Sequence, residues 1–148
     1  MAHLTFNASL GRVAHLAALP AAADALIAVP LQASGLVADS TMRDYTTLAA
    51  ILAGASAEQT TVGRKTLTGV TVTVNHTADR VEVDADDITW TAPTGDPVGA
   101  IVICYDPDTG GGIDADLIPL TKHDISWTPD GVDFTLQVAD FYRASSAA

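Results

Sequence analysis

From Lys65 to Val138 the apolar residues fall largely on alternate positions, and turn-forming residues interrupt the pattern repeatedly. A period of two sends successive side chains to opposite faces of an extended chain, so this stretch is built for short strands rather than helices. Leu67, Val70, Val72 and Val74 are interleaved with Thr71 and Thr73; after a turn over 75–79, Val81 and Val83 alternate with Arg80, Glu82 and Asp84. That pattern predicts a hairpin. Ile88 and Trp90 continue the alternation, and Pro93, Gly95, Asp96, Pro97 and Gly99 form a dense turn signal. Residues 100–105 are apolar on both faces, which predicts a central strand covered on each side. Ile125 and Trp127, then Phe134, Leu136 and Val138, flank Pro129-Asp130-Gly131 and predict a second hairpin.

The first part of the chain reads differently. Met42, Tyr45, Leu48, Ala49 and Leu52 recur at spacings of three and four, with Asp39 or Ser40 available as N-cap and Gly54 at the C-terminal position, which predicts a helix over 41–53. A short helix over 12–19 would stop at Pro20, and 26–32 reads as an apolar strand that Pro30 pushes toward an edge or a bulge. The expected fold is therefore mainly β (α+β): six or so short strands in a β-sandwich or jelly-roll-like barrel, with a helical N-terminal segment. A chain of 148 residues is expected to form one domain, with the helix-containing segment at about 1–60 and the β-rich part at about 64–140.

Charge narrows the functional classes. The formal net charge is -11, and the seven basic residues are scattered, whereas a general nucleic-acid binder clusters them to neutralise phosphates. Anionic membrane surfaces are disfavoured for the same reason. The apolar stretch 13–37 is broken by Pro20, Asp24, Pro30 and Gln32, so it reads as mature structure and not as a membrane span or export signal. Fourteen of the 18 acidic residues lie between Asp79 and Asp140, and 16 of the 18 are Asp, whose short side chain suits turns and caps.

No arrangement of residues makes a convincing catalytic site. His123, Asp124 and Ser126 lie on one stretch of strand, where His123 and Asp124 should point to opposite faces and fail to relay to one serine. A Cys104–His123 dyad would need an exposed thiolate, but Cys104 sits in an apolar run and reads as a small buried hydrophobe. Asp84, Asp86 and Asp87 have the composition of a paired-carboxylate or metal site, with a solvated rim as the expected reading. The loop from Asp106 through Asp108 to Asp116 begins like a calcium loop, yet Leu117 occupies the twelfth position where an acidic ligand belongs. His3, His15, His76 and His123 show no metal-ligand spacing. The expectation is a non-enzymatic protein without metal or cofactor.

Several phrases carry a resemblance: Arg43-Asp44-Tyr45-Thr46-Thr47-Leu48-Ala49-Ala50-Ile51-Leu52-Ala53-Gly54, Gly63-Arg64-Lys65-Thr66-Leu67, Ile103-Cys104-Tyr105-Asp106-Pro107-Asp108-Thr109, Ile118-Pro119-Leu120-Thr121-Lys122-His123-Asp124, Thr128-Pro129-Asp130-Gly131 and Phe141-Tyr142-Arg143-Ala144. Together, over residues 6–144, they resemble small virion structural proteins of tailed bacteriophages that infect actinobacteria. The resemblance implies a structural role in the particle, with the head as first placement. The expected function is a capsid decoration or minor capsid protein on the outer face of the shell, partnered by the major capsid protein and forming a homo-oligomer such as a trimer. The alternatives are a head fibre, connector, tail or baseplate protein, or a carbohydrate-binding module for host adsorption. Candidate partner-facing residues are Leu26, Val29 and Leu31 in the apolar N-terminal stretch, the aromatics Trp90, Trp127, Phe141 and Tyr142, and Arg143. For the two tryptophans, burial in the chain's own core is the competing reading.

Overall fold

The computed structural model describes residues 3–146. The fold is mainly β, with ten strands in three antiparallel sheets among the described residues. Its centre is β7 (Val98–Asp106), the third strand of a five-stranded sheet in the order β1 (His3–Thr5), β8 (Ile118–Trp127), β7, β2 (Ala25–Gln32), β3 (Lys65–Thr66). The unbroken apolar run of β7 follows from this position, because both of its faces are covered. Ile101 and Ile103 join Leu26, Ala28, Leu67 and Val83 in one core. Val102 and Cys104 join Phe6, Val29, Leu31 and Met42 in another.

The first core is closed by two smaller sheets. One is β10 (Tyr142–Ser145), β5 (Arg80–Asp84) and β4 (Thr71–Asn75), in which β4 and β5 are the predicted hairpin; the other pairs β6 (Ile88–Trp90) with β9 (Phe134–Leu136). The helix α1 (Val13–Ala17) packs against β4 and β5. The second core is closed by α2 (Asp39–Met42) and α3 (Leu48–Ala53). Among the described residues no helix is long and apolar enough to cross a membrane.

Three expectations change. The N-terminal part is not a helical segment: it supplies two strands of the main sheet, and its helices have only five, four and six residues. The helix predicted over 41–53 is broken into α2 and α3. Thr47 caps α3, its Oγ1 accepting from the Ala50 N–H at 3.2 Å, while the N–H groups of Leu48 and Ala49 donate to the carbonyls of Leu117 and Asp114. These tertiary bonds outweigh helix propensity, which is worth only tenths of a kcal/mol per residue. Asp39 does not cap α2, and the left-handed residue is Ala55 (φ 79°) rather than Gly54. Finally, β8 and β9 are not a hairpin. The 128–133 turn carries the chain from one sheet to another and is held by Gly131 N–H on the Pro93 carbonyl and Ala92 N–H on Asp133.

Pro30 shows how β2 tolerates an imino acid. Its carbonyl accepts from the Gln59 N–H on the side of β2 away from β7, and a residue's N and C=O share a side in an antiparallel ladder. The missing N–H therefore falls where β3, paired only at Ile27 and Ala28, has already ended. A bulge follows between Leu31 and Gln32.

Candidate functional site

β1 is a short edge strand, and its register places His3 opposite His123 of β8. Because His123 is also opposite Ile101, its imidazole enters the first core, where it is 6% exposed. There the Nδ1 atoms of His3 and His123 lie 2.6 Å apart, with ring centroids at 4.6 Å. At that separation one Nδ1 donates and the other accepts, so one ring of the pair must be neutral. The His123 Nε2 is 2.9 Å from the Thr121 hydroxyl. Burial, and after it the neighbouring His3, pull the His123 pKa down to about 4, against a weaker upward pull from Asp124.

Residues 137–141 lie across this pair. Phe141 packs edge-on to His123 with centroids at 6.3 Å, and Asp140 takes a left-handed conformation (φ 49°), its N–H donating to Asp84 Oδ1 and its Oδ2 accepting from Arg143 at 2.5 Å. Beneath them is a cavity of about 80 Å3 that includes both histidines. Beside it runs an open groove of about 260 Å3 lined by β1 residues His3, Leu4 and Thr5 and by Phe141, Tyr142 and Arg143. The two spaces share His3, Asp140 and Phe141. The groove thus has an aromatic wall, a guanidinium at its rim and residues of two edge strands along its sides.

The side chains of the other candidate constellations are engaged in internal contacts. Lys122 and Asp124 point to the face opposite His123 and Thr121. The buried ammonium of Lys122 bridges Asp39 and Asp124 at 2.5 Å each; burial pulls its pKa down, but these two hydrogen bonds more than offset that, and the net shift is upward. Cys104 lies in the second core, across the sheet from His123, and burial pushes its thiol pKa up, away from thiolate chemistry. Asp84 accepts from Ala85 and Asp140, Asp86 from the Thr68 hydroxyl, and Asp87 from Val138. In the calcium-like loop, Asp106 Oδ1 takes the Asp108 N–H, Asp108 Oδ1 takes those of Gly110 and Gly111, and Asp116 takes that of Ile113. Asp114 binds Arg64, which also grips both oxygens of Glu58. Among the described residues no set of three His, Cys, Asp or Glu side chains is disposed to hold a metal ion.

The candidate partner-facing residues divide. Leu26, Val29, Leu31 and Trp90 are at most 2% exposed, which corrects their placement at a surface: β2 is covered on both faces, and the Trp90 indole donates to the Gly63 carbonyl at 3.0 Å. Trp127 is half-buried and stacks on Phe134 at 4.0 Å, away from the groove. Phe141 and Tyr142 are half-buried and Arg143 is exposed, and the structure sets this consecutive run against His3, Leu4 and Thr5 of β1 in the groove. What sequence reasoning missed is the His3–His123 pair. The two residues are 120 positions apart, and the contact is created by the register of β1, which has no local sequence signal beyond three residues of edge strand. Compared with family models, curated proteins and solved structures, the chain finds no match.

Proposed function

We propose that this chain is a non-enzymatic structural protein of a tailed-phage virion: a capsid decoration or minor capsid protein that docks on the outside of the head shell through the groove between β1 and residues 140–143. The observation that carries the reading is the placement of the consecutive run Phe141-Tyr142-Arg143 against the edge strand β1, with a groove between them. Half-buried aromatics next to an arginine supply contact area at low entropic cost, and repeated copies on a lattice turn a modest contact into firm attachment. The family resemblance over residues 6–144 supports the same role. So does the separation of Cys104 and His123 onto opposite faces of the main sheet, which leaves nucleophile and base without contact. The β-sandwich-like layering suits a compact shell-surface domain.

Copy number per particle tests the proposal. Quantitative mass spectrometry of purified virions and isolated heads, normalised to the major capsid protein, should find hundreds of copies retained on heads. Phe141→Ala with Arg143→Ala should fold and fail to decorate shells. A dozen copies or fewer, loss with the tails, or undiminished decoration by the double variant would overturn it.

A further inference from the structure

Each sheet has two edges, and most of them are guarded in ways that discourage pairing with another chain. β1, β6 and β9 have three residues each, β3 has two and carries Lys65, and β10 carries Arg143. β4 is the exception. It has five residues, Thr71-Val72-Thr73-Val74-Asn75, with no charge, no proline and no bulge, and among the described residues it pairs only with β5. In a chain of net charge -11, residues 66–78 hold no lysine, arginine, aspartate or glutamate at all, so two copies can approach here without strong repulsion.

The strand is also self-complementary. Antiparallel pairing with a second copy about a two-fold axis at Thr73 sets Thr73 opposite Thr73 and Val72 opposite Val74 in both directions. Thr–Thr is a favourable cross-strand pair, and the β-branched valines pack well on a pleated surface. Val74, 59% exposed, is the large apolar side chain this pairing would cover. It shares a face with Val81 and Ala144, which line a concavity at the hairpin tip. On the opposite face the nearest charge, Glu82, is already neutralised by Arg80 at 2.5 Å.

We infer that β4 is a homodimerisation edge, joining two copies of this chain through antiparallel β4–β4 pairing into one continuous six-stranded sheet. The interface does not rest on the shell-docking reading, because β10, with Tyr142 and Arg143, lies at the far edge of the same sheet.

Sedimentation velocity over a wide concentration range should show the full-length protein reaching twice its 15.2 kDa mass. Thr73→Glu, which places like charges opposite each other, should remain at monomer mass with an unchanged circular dichroism spectrum. Thr73→Cys should form a disulfide-linked dimer on mild oxidation, because directly opposed antiparallel residues lie within disulfide reach and Cys104, fully buried, does not compete. Val132→Cys, exposed and outside β4 in the segment between β8 and β9, should not cross-link. Monomer mass at every concentration, a dimer that survives Thr73→Glu, or no cross-link from Thr73→Cys would overturn the inference; if Thr73→Glu fails to fold, the cross-link decides.

Discussion

Replacing His123 by leucine should remove a specific part of the protein's pH dependence. His123 is 6% exposed and neutral in the folded state, with its pKa at about 4 against an ordinary 6.5. Below pH 6.5 the unfolded chain takes up a proton at this residue and the folded chain does not, so stability falls with pH through the window from 6.5 to 4. The full 2.5-unit separation is worth about 3 kcal/mol, and about 2 kcal/mol of it is lost between pH 7.5 and 5. That range lies above the ordinary titration of carboxylates, which keeps the acidic residues from dominating the slope. Urea unfolding at pH 7.5, 6 and 5 should show this loss in the wild-type protein and a much flatter profile in His123→Leu. A wild-type profile flat above pH 5, or a variant with the same slope as the wild type, would refute the reading of a neutral, buried imidazole.

Gly99→Ala should destabilise by about 1–3 kcal/mol, measured as a lower urea midpoint, because a Cβ at this bulged position of β7 would lie 2.7 Å from the Cα of Ala33. Arg64→Met should cost about 1 kcal/mol at low salt and less at high salt, since the guanidinium ties Glu58 to Asp114 in a partly solvent-screened setting. Cys104 should resist thiol reagents in the folded protein and react fully in urea, so that its labelling rate tracks global unfolding.

The sequence made the strands of the β4–β5 hairpin and the core position of β7 readable, because both rest on local periodicity that burial on one or two faces imposes. It misled where a tertiary bond outweighed a local preference. The 3.6-residue spacing from Met42 through Leu48 does reflect burial, since Met42, Leu48 and Ile51 are all fully buried, but two short turns joined by a Thr47 cap satisfy it as well as one helix. The Pro129-Asp130-Gly131 signal correctly marked a turn and said nothing about which strand would pair next. Of the groove, Phe141, Tyr142 and Arg143 were readable as candidates from their chemistry. Their neighbour His3 was not, because nothing local reports a contact across 120 residues.

The bias toward aspartate has a structural cause that is testable in its own right. Asp87, Asp108, Asp116 and Asp133 each accept one or two backbone N–H groups in a turn or loop, at 2.8–3.2 Å. Their acids therefore replace hydrogen bonds that a strand ladder would otherwise supply, a task that needs a short side chain with an acceptor oxygen and does not need charge. Asparagine has that oxygen and alanine does not. Replacing all four by Asn shifts the net charge from -11 to -7 and should lose little stability, because a neutral acceptor still satisfies each N–H. Replacing all four by Ala should cost several kcal/mol, at about 1 kcal/mol per lost bond. Thermal and urea unfolding of the two quadruple variants decide the matter. If they unfold alike, the aspartates are a solvated rim after all, and the acidic half of the chain owes its charge to something other than its turns.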